Sequence, residues 1–264
     1  MISVLMSVFN SDKYIRDSLV SVIETVSPKL EVILVDDGSV DDTKNIVLHF
    51  LESENGLEKD LIFIENAENV GLPKSLNKAF SKSKCNYIAR MDGDDVCLPD
   101  RFSRQLRFML ENNEIDILGS NAILIDSDSQ VVGKTDVPLQ HEDIVKALAY
   151  KNPIIHPSVI MKREVLEKLG GYDEALLKAQ DLDLWHRAAK FGFRFANMPD
   201  FLIQYRVDLE KKPIKTVFKG FRVSFSHAVR NRSVKGAVFS LIDLIKYFLI
   251  KLNVYTPRSI RKKS

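Results

Sequence analysis

The first hundred residues alternate apolar, strand-like runs with segments of helical periodicity. The strand-like runs lie at residues 2–9, 30–35, 61–65 and 86–91. Between them, apolar residues recur at the three- and four-residue spacing of amphipathic helices. A β-α-β-α-β-α-β order needs crossover connections, so this half of the chain is predicted to form a parallel sheet flanked by helices.

Beyond Pro99 the pattern of apolar residues becomes mixed. Short strands are predicted at residues 115–118, 122–125, 131–132, 193–198 and 202–206, and helices at residues 102–110, 141–150, 163–169 and 181–191. Gly192 is placed to end the last of these helices. Residues 1–210 are therefore predicted to be a single α/β domain with a mixed sheet.

Polar residues follow the predicted strands of the parallel half. Asn10, Asp36, Asp37 and Asn66 stand directly after three of the strands, and an acidic run follows the fourth. Ligands of open α/β sheets bind outside the carboxyl ends of the strands. These residues are therefore predicted to meet at one ligand-binding edge.

The acidic run is Asp92-Gly93-Asp94-Asp95, which follows an apolar segment. Three neighbouring carboxylates repel one another, and a cation between them removes that repulsion. Hard oxygen ligands suit Mg²⁺ or Mn²⁺, and Mg²⁺ commonly shares its coordination shell with substrate phosphates. The alternative is a plain acidic turn with Gly93 at a positive φ.

The formal net charge of +2 hides a strong asymmetry between the two ends of the chain. Residues 1–210 contain 24 Lys and Arg against 35 Asp and Glu, whereas residues 211–264 contain 14 against one. A basic segment attached to an acidic body predicts an anionic partner for residues 211–264.

Residues 211–264 also carry two apolar stripes at helical spacing. The stripes are formed by Phe218, Phe221 and Phe225, and by Leu241, Ile245, Phe248, Leu249 and Leu252. The longest apolar stretch, residues 237–252, is shorter than the roughly 20 residues that a spanning helix needs. The tail is therefore predicted to form amphipathic helices in a membrane interface, with packing on the body as the alternative. Nucleic acid is not an expected partner, because the stripes are wide and no recognition motif is present.

Several nucleotide-binding motifs are missing from the sequence. No G-x-G-x-x-G follows the first strand, which disfavours a dinucleotide oxidoreductase, and no G-x-x-x-x-G-K-[ST] occurs, which disfavours a P-loop enzyme. The glycine-rich loop of a sugar-phosphate nucleotidyltransferase is also missing. A nucleotide site built from carboxylates and a metal remains.

A set of short motifs resembles the family 2 glycosyltransferases of GT-A fold. The motifs are Ser7-Val8-Phe9-Asn10, Val35-Asp36-Asp37-Gly38-Ser39, Asn69-Val70-Gly71-Leu72, Asp92-Gly93-Asp94-Asp95, Asn152-Pro153 with His156-Pro157-Ser158, Gln180-Asp181-Leu182-Asp183-Leu184-Trp185 and Tyr205-Arg206. The resemblance spans residues 1–207. It implies a Rossmann-like GT-A domain that transfers a sugar, with inversion, from a nucleotide diphosphate to a hydroxyl.

The resemblance implies a donor site at the ends of the first strands. Val8, Phe9 and Asn10 are expected to line the base and ribose pocket. Asp36 is expected to accept a hydrogen bond from uracil or ribose, although an aspartate after a strand also serves as a simple cap. Lys74 is a candidate contact for the diphosphate, with plain solvent exposure as the alternative.

The resemblance assigns the acidic run to the nucleotide-sugar and its metal. Asp92 is expected to face the ribose and the cation, and Asp94 is expected to bind a Mn²⁺ or Mg²⁺ that bridges the phosphates. Asp95 and Gly93 complete this part of the donor site, with Asp95 orienting the sugar. A divalent cation stabilises the charge that develops on the departing diphosphate.

Asp181 is the expected catalytic base, which removes the proton of the acceptor hydroxyl. The family pattern at this point is Glu-Asp, and here it is Gln180-Asp181, so the role of position 180 is open. Asp183 lies about 200° around the helix from Asp181 and cannot serve the same site. An i, i+4 ion pair with Arg187 is expected for it instead.

Three further residues are weaker candidates for the acceptor side of the cleft. His156 has a counterpart near the acceptor in the family, although a lone histidine is more often structural. Trp185 is a candidate for stacking on a sugar ring, with a core position as the equal alternative. Arg206 is a candidate contact near the acceptor or the diphosphate, or else a solvated surface residue.

These features together predict a cytoplasmic enzyme on the inner face of the cell membrane. No signal peptide is expected, and Cys85 and Cys97 are predicted to be buried free thiols, as is typical of a reducing compartment. The expected donor is a UDP-hexose (galactose or glucose leading), and the expected acceptor is a polyprenyl-diphosphate-linked saccharide in O-antigen, capsule or exopolysaccharide synthesis. The alternatives are a non-catalytic nucleotide- or carbohydrate-binding protein of the same fold, and a membrane-surface scaffold.

Overall fold

The computed structural model describes residues 1–25, 29–53 and 60–208, so the predicted amphipathic tail lies outside the described residues. The strands are β1 (Ile2–Val8), β2 (Leu30–Asp36), β3 (Asp60–Glu65), β4 (Tyr87–Asp92), β5 (Val96–Cys97), β6 (Ile117–Ile125), β7 (Val131–Lys134), β8 (Ile160–Lys162) and β9 (Phe195–Arg206). The helices are α1 (Ile15–Ile23), α2 (Thr43–Ser53), α3 (Leu72–Lys82), α4 (Arg101–Glu111), α5 (His141–Leu148), α6 (Arg163–Leu169) and α7 (Gln180–Phe191), with a single 3₁₀ turn at His156–Ser158.

The amino-terminal half forms the predicted parallel sheet, with strand order β3-β2-β1-β4. Every residue of β1 and of β2 is buried, as is typical of parallel strands covered by helices on both faces. The β-α-β-α-β-α-β order predicted from the sequence is therefore confirmed.

The carboxyl-terminal half extends this sheet with mixed strand directions. β4 pairs with β8, and β8 pairs with β6, both antiparallel. β9 runs parallel to β6, while β5 is antiparallel to β9 and β7 is antiparallel to β6. The prediction of an α/β fold with a mixed sheet is confirmed.

β6 and β9 are each one continuous strand where the sequence pattern predicts two short ones. β9 is continuous where two strands are predicted, because Pro199 and Asp200 form a bulge: the pairing with β6 moves from Met198 to Phe201 between neighbouring residues of β6. Proline donates no hydrogen bond to a ladder, so it is placed at such bulges. β5 and β8 were not predicted, since two- and three-residue strands are too short to show periodicity.

The two faces of the sheet bury separate apolar layers. Val4 and Val32 pack in one layer with α1, α2 and α4, whereas Leu5 and Ile33 pack in the other with α3, α5, α6 and α7. This alternation follows the two-residue period of a strand. Each fully buried aliphatic side chain contributes about 1.5–3 kcal/mol of hydrophobic stabilisation.

The register of the parallel strands brings their carboxyl ends to one edge. Ser7 pairs with Asp92, and Val8 pairs with Asp36. The polar residues that follow these strands therefore meet, as predicted. Cys85 and Cys97 are buried and form no disulfide among the residues that the structure describes, also as predicted.

Within the described ranges, every helix is too short or too polar to cross a lipid bilayer.

Candidate active site

The acidic run lies at the end of β4, where it brings three carboxylates together. Ligand oxygens of Asp92, Asp94 and Asp95 all lie within 4.8 Å of one another. Asp95 is fully buried, and its Oδ1 accepts a 2.7 Å hydrogen bond from the backbone N–H of Arg206. Its Oδ2 has no hydrogen-bond partner among the residues that the structure describes. A buried carboxylate oxygen without a donor is a candidate ligand for a cation.

The electrostatics of this cluster also fit a cation. Burial, and then the charge of Asp92, raise the pKa of Asp94 to about 6. Burial and the charges of Asp92 and Asp94 raise the pKa of Asp95 well above its ordinary value. Both shifts mean that the ionised carboxylates are unfavourable here without additional positive charge, which a bound cation would supply. The set of hard oxygen donors suits Mg²⁺ or Mn²⁺.

Gly93 is required for space. A Cβ at this position would lie 2.3 Å from Cγ1 of Val8, and the φ of Gly93 is not positive. The positive φ that the acidic-turn alternative expects for Gly93 is therefore wrong. The acidic loop passes directly over the end of β1, which fixes the carboxylates relative to that strand.

Arg90 lies in the site although it is not among the predicted site residues. It is 2% exposed and forms an ion pair with Asp92 through Nη1, two residues further along β4. The available signal was a charged residue inside an otherwise apolar strand, because a buried strand tolerates a guanidinium only where a counter-ion is present.

A cavity of about 300 Å³ lies beside the acidic loop. Its lining includes Arg90 and Asp92 from β4, Asn152 from the loop after α5, and Asp181 from the first turn of α7. The side-chain amide of Asn152 donates a 2.6 Å hydrogen bond to Oδ2 of Asp181. Burial raises the pKa of Asp181, while the hydrogen bonds from the backbone of Leu182 and from Asn152 oppose that rise. The structure thus brings the predicted base and the acidic loop to one cavity.

The other acidic residue of α7 has a structural role. Oδ2 of Asp183 accepts a 2.7 Å ion-paired hydrogen bond from Nε of Arg187 one turn later, as predicted. Gln180 is buried and lines the cavity beside Asp181. Position 180 therefore contributes a neutral amide where the family pattern has a carboxylate.

His156 and Trp185 belong to one aromatic cluster behind the cavity. Nε2 of His156 is 2.8 Å from the hydroxyl of Tyr172, and its ring stands edge-to-face against Trp185 with centroids 6.0 Å apart. Burial and the charge of Arg90 keep the pKa of His156 well below its ordinary value, so the ring is neutral. His156 also lines the cavity.

The proposed stacking of Trp185 on an acceptor sugar is wrong for this structure. Trp185 is fully buried, so its ring faces the apolar layer and not the cavity. Trp185 is instead a core aromatic residue, which was the alternative prediction.

Arg206 braces the acidic loop and is not among the residues that line either of the two cavities of the site. Its Nε donates a 2.9 Å hydrogen bond to the carbonyl of Asp94, and its guanidinium lies 4.0 Å from the ring centroid of Tyr14. Nη1 donates to the carbonyl of Asp126 at 2.5 Å. These contacts occupy the side chain and exclude the alternative of a solvated surface residue. Lys74 is exposed in the first turn of α3.

A second cavity, of about 320 Å³, adjoins the first. Its lining includes Val8 and Phe9 at the end of β1, Gly71 and Leu72 at the start of α3, and Leu177 before α7. Leu72 lines both cavities, so they are neighbours. The predicted base and ribose residues Val8 and Phe9 are thus together.

Asn10 and Asp36 do not line this second cavity, and both instead bond to the turn that follows β2. Oδ1 of Asn10 accepts from the N–H of Val40 at 3.0 Å, and its own N–H donates to Oγ of Ser39 at 2.9 Å. Oδ1 of Asp36 accepts from the hydroxyl and the N–H of Ser39 at 2.5 and 3.2 Å. These contacts are the ones expected if Asp36 caps the turn after β2, which was the alternative prediction for this residue.

Asp37 was noted only as a polar residue at a strand end, and the structure gives it a larger role. Its carboxylate is buried and accepts from the N–H groups of Val70 and Gly71, the amide of Asn66 and the hydroxyl of Ser75, all at 2.8–3.0 Å. One carboxylate thus fixes the loop that forms a wall of the second cavity.

Residues 3–170 match the model of the Glycosyl transferase family 2, which covers more than half of the chain. The chain belongs to glycosyltransferase family 2. An uncharacterized glycosyltransferase of Methanocaldococcus jannaschii is 31% identical over 271 residues, covering 99% of this chain and 91% of its own. The O-antigen biosynthesis glycosyltransferase WbnJ of Escherichia coli is 29% identical, with 94% and 95% covered. The amylovoran biosynthesis glycosyltransferase AmsE of Erwinia amylovora is 32% identical, with 78% and 76% covered.

Solved structures share the fold of this family 2 glycosyltransferase. S. aureus TarS in complex with UDP superposes with a TM-score of 0.66 at 20% identity, covering 94% of this chain and 72% of TarS. The mannosyltransferase PcManGT of Pyrobaculum calidifontis, in complex with GDP-Man and Mn²⁺, superposes with a TM-score of 0.68 at 19% identity, covering 97% and 76%. At these identities the likeness establishes the GT-A fold alone.

Proposed function

We propose that this family 2 glycosyltransferase is a metal-dependent, inverting enzyme that transfers a hexose, galactose or glucose leading, from a UDP-sugar to a hydroxyl of a lipid-linked saccharide. The observation that carries the proposal is that Asp92 of the acidic loop and Asp181 line the same cavity. An inverting displacement needs a group that stabilises the leaving diphosphate and a base on the opposite side of the sugar.

The acidic loop is the proposed metal site. Asp94 and Asp95 supply carboxylates whose pKa is raised by burial, so that they favour a bound positive charge. Asp92 completes the cluster. Bound Mn²⁺ or Mg²⁺ supplies positive charge for the diphosphate of the donor and for its departure. A fold neighbour in complex with GDP-Man and Mn²⁺ supports this assignment.

Asp181 is the proposed base. Asn152 donates to one of its carboxylate oxygens and so holds the side chain in one orientation. The remaining oxygen can accept the proton of the acceptor hydroxyl. A neutral His156 behind the cavity adds no competing positive charge to this part of the site.

The second cavity is the proposed pocket for the nucleoside. Phe9 is 44% exposed at its rim and offers an aromatic face for a base. Uridine is the proposed base, as in the TarS complexes with UDP and UDP-GlcNAc. Guanosine is the competitor, because the PcManGT complex contains GDP-Man.

The acceptor is proposed to be a polyprenyl-diphosphate-linked saccharide at the inner membrane surface, in O-antigen, capsule or exopolysaccharide synthesis. Two relatives carry names from O-antigen and amylovoran biosynthesis. The basic, apolar-striped residues 211–264 suit an anionic bilayer. Sedimentation of the full chain with anionic vesicles checks this part. Replacing Arg258, Arg261, Lys262 and Lys263 by Gln is expected to weaken that binding.

The decisive experiment is a panel of UDP-, GDP- and dTDP-hexoses with a polyprenyl-linked saccharide, with and without Mn²⁺. We expect transfer from a UDP-hexose that depends on the metal. Nucleotide binding without transfer or hydrolysis, under every combination, supports the second candidate, a non-catalytic nucleotide- or carbohydrate-binding protein at the membrane.

A further inference from the structure

The three carboxylates of the acidic loop differ in their counter-ions, because only Asp92 of the three forms an ion pair with Arg90. Asp92 has a guanidinium beside it, whereas Oδ2 of Asp95 has no partner among the described residues. A cation that enters the cluster therefore finds one carboxylate already neutralised. Arg90 and the cation compete for the same group.

Arg90 is held firmly in its place. It is 2% exposed, and its backbone carbonyl accepts a 2.8 Å hydrogen bond from Nη2 of the fully buried Arg101. Within the described ranges neither Nε nor Nη1 of Arg90 forms a hydrogen bond of regular geometry, so the electrostatic attraction between Nη1 and Asp92 is its principal compensation for burial. Breaking a buried ion pair from one side is costly, so Arg90 keeps Asp92 as its counter-ion.

We propose that Arg90 is a positioning residue that holds Asp92 as its counter-ion and thereby lowers the affinity of the donor-free protein for a divalent cation. In the donor-free state the cation binds mainly through Asp94 and Asp95, and it binds weakly. The diphosphate of the donor supplies the missing negative charge, so metal and donor favour each other's binding. The inference rests on the proposed function, because it assumes the metal site of the acidic loop.

The test is Mn²⁺ binding to the full chain, measured from the electron paramagnetic resonance signal of free Mn²⁺, with and without UDP. In the wild type we expect weak binding alone and tighter binding with UDP. Arg90→Met removes the competing charge, so Mn²⁺ binding without UDP is expected to tighten about tenfold. The factor by which UDP tightens Mn²⁺ binding is expected to shrink accordingly.

Turnover separates positioning from damage to the fold. In Arg90→Met we expect kcat to fall although Mn²⁺ binds more tightly, because Asp92 has lost the group that orients it. A variant whose site is disordered is instead expected to lose both kcat and Mn²⁺ affinity. Arg90→Lys keeps a positive charge and is expected to hold Mn²⁺ about as weakly as the wild type, which makes it the conservative rescue.

Two controls isolate the pathway through Asp92. Arg104→Met removes a cation from α4 that pairs with Asp100 and Asp200, and it is expected to leave Mn²⁺ affinity unchanged. In an Asp92→Asn background, Arg90→Met has no carboxylate to release, so its effect on Mn²⁺ affinity is expected to be much smaller than in the wild type.

The outcomes distinguish this inference from the proposed function. A wild type that binds no Mn²⁺, with or without UDP, overturns the metal site and the inference with it. A wild type that binds Mn²⁺, together with an Arg90→Met variant that binds it equally or more weakly, overturns the inference alone. An equal effect of Arg90→Met with and without Asp92 also overturns it, because the guanidinium then acts only through its long-range field.

Discussion

Asn152 and Asp181 are joined by a 2.6 Å hydrogen bond between the side-chain amide of Asn152 and Oδ2 of Asp181. Asn152 is itself anchored, because the next residue, Pro153, accepts a hydrogen bond from Nδ2 of the buried Asn197 at 3.2 Å. The orientation of the proposed base thus depends on β9, which carries Asn197.

Asn152→Ala is expected to lower kcat/KM at neutral pH by about tenfold, since the base loses a donor that both orients it and favours its ionised form. The hydrogen bond from Asn152 holds the pKa of Asp181 down, so its loss raises that pKa further. A base acts only when deprotonated. The acid limb of the pH profile of kcat/KM is therefore expected to move to higher pH.

Asn45→Ala is the matched control for Asn152→Ala. Asn45 donates from its side-chain amide to Asp42 at 2.8 Å on the surface of α2, away from both cavities. Its pH profile is expected to coincide with that of the wild type. An acid limb that does not move in Asn152→Ala contradicts the assignment of Asp181 as the base.

Asp181→Asn is expected to lower kcat by roughly 10²–10⁴-fold, the range of a general base, while UDP still binds. Asp183→Asn is its neighbour control on the same helix: Asp183 pairs with Arg187, so its replacement is expected to lower thermal stability modestly and to leave kcat within about threefold. Transfer rates and UDP titrations measured on both variants check this. Equal losses of kcat contradict the division of roles.

The pKa of Asp94, raised to about 6, predicts an unusual dependence of stability on pH in the absence of metal. An unfolded aspartate titrates near pH 4, so between about pH 4 and 6 the folded protein binds more protons than the unfolded chain. The contribution of this group to the free energy of unfolding therefore rises as the pH falls through that window. Asp94→Asn is expected to flatten this component by roughly 1–3 kcal/mol.

Denaturant unfolding of wild type and Asp94→Asn at several pH values, with a chelator present, isolates this component. Mn²⁺ binding requires the deprotonated carboxylates, so the stabilisation by Mn²⁺ is expected to shrink as the pH is lowered from 7 towards 5. Identical pH slopes for the two proteins contradict the shifted pKa of Asp94.

The sequence predicted the parallel half of the fold because every element there shows its own periodicity. The register between β1 and β2 does not follow from the pattern, because both strands are buried on both faces and a one-residue slip would move no apolar side chain into solvent. The strand β9 was predicted as two pieces because Pro199 and Asp200 interrupt its pattern, and only pairing with β6 shows that they form a bulge.

The site was predictable where a residue type is costly without a ligand, and less so where partners are distant in sequence. Three neighbouring carboxylates are enough to predict a cation site from the sequence alone. The four donors of Asp37 and the brace by Arg206 depend on contacts across 29 to 112 positions of the chain. Trp185 shows the same limit, because helical spacing placed it on the face of Asp181 and tertiary packing buried it.

Gly93→Ala tests the close approach of the acidic loop to β1. The added Cβ meets Cγ1 of Val8 at 2.3 Å, so the loop or the strand end must shift. We expect a loss of about 1–3 kcal/mol in the free energy of unfolding, and weaker binding of Mn²⁺ and UDP. Gly133→Ala is the control, because its Cβ meets Cδ1 and Cβ of Leu124 at ordinary contact distances of 3.5 and 4.0 Å. Unchanged nucleotide binding in Gly93→Ala contradicts the role given to this glycine.

Asp36 and Asp37 are adjacent and buried, yet they are expected to differ when each is replaced by Asn. The carboxylate of Asp37 accepts four hydrogen bonds on its two oxygens, and an amide can accept on only one. Asp37→Asn is therefore expected to lower the free energy of unfolding by about 1–3 kcal/mol and to loosen the wall of the second cavity.

Oδ1 of Asp36 receives both donors of Ser39, and an Asn oxygen can replace it there. We therefore expect Asp36→Asn to be nearly as stable as the wild type and to raise the KM for the UDP-sugar about tenfold, with kcat little changed, because the family resemblance gives the Asp36 carboxylate a hydrogen bond from the uracil or ribose of the donor. Denaturant unfolding and donor titrations on the two variants measure both quantities. An Asp36→Asn variant with a normal KM removes Asp36 from the donor site and leaves it as the cap of its turn.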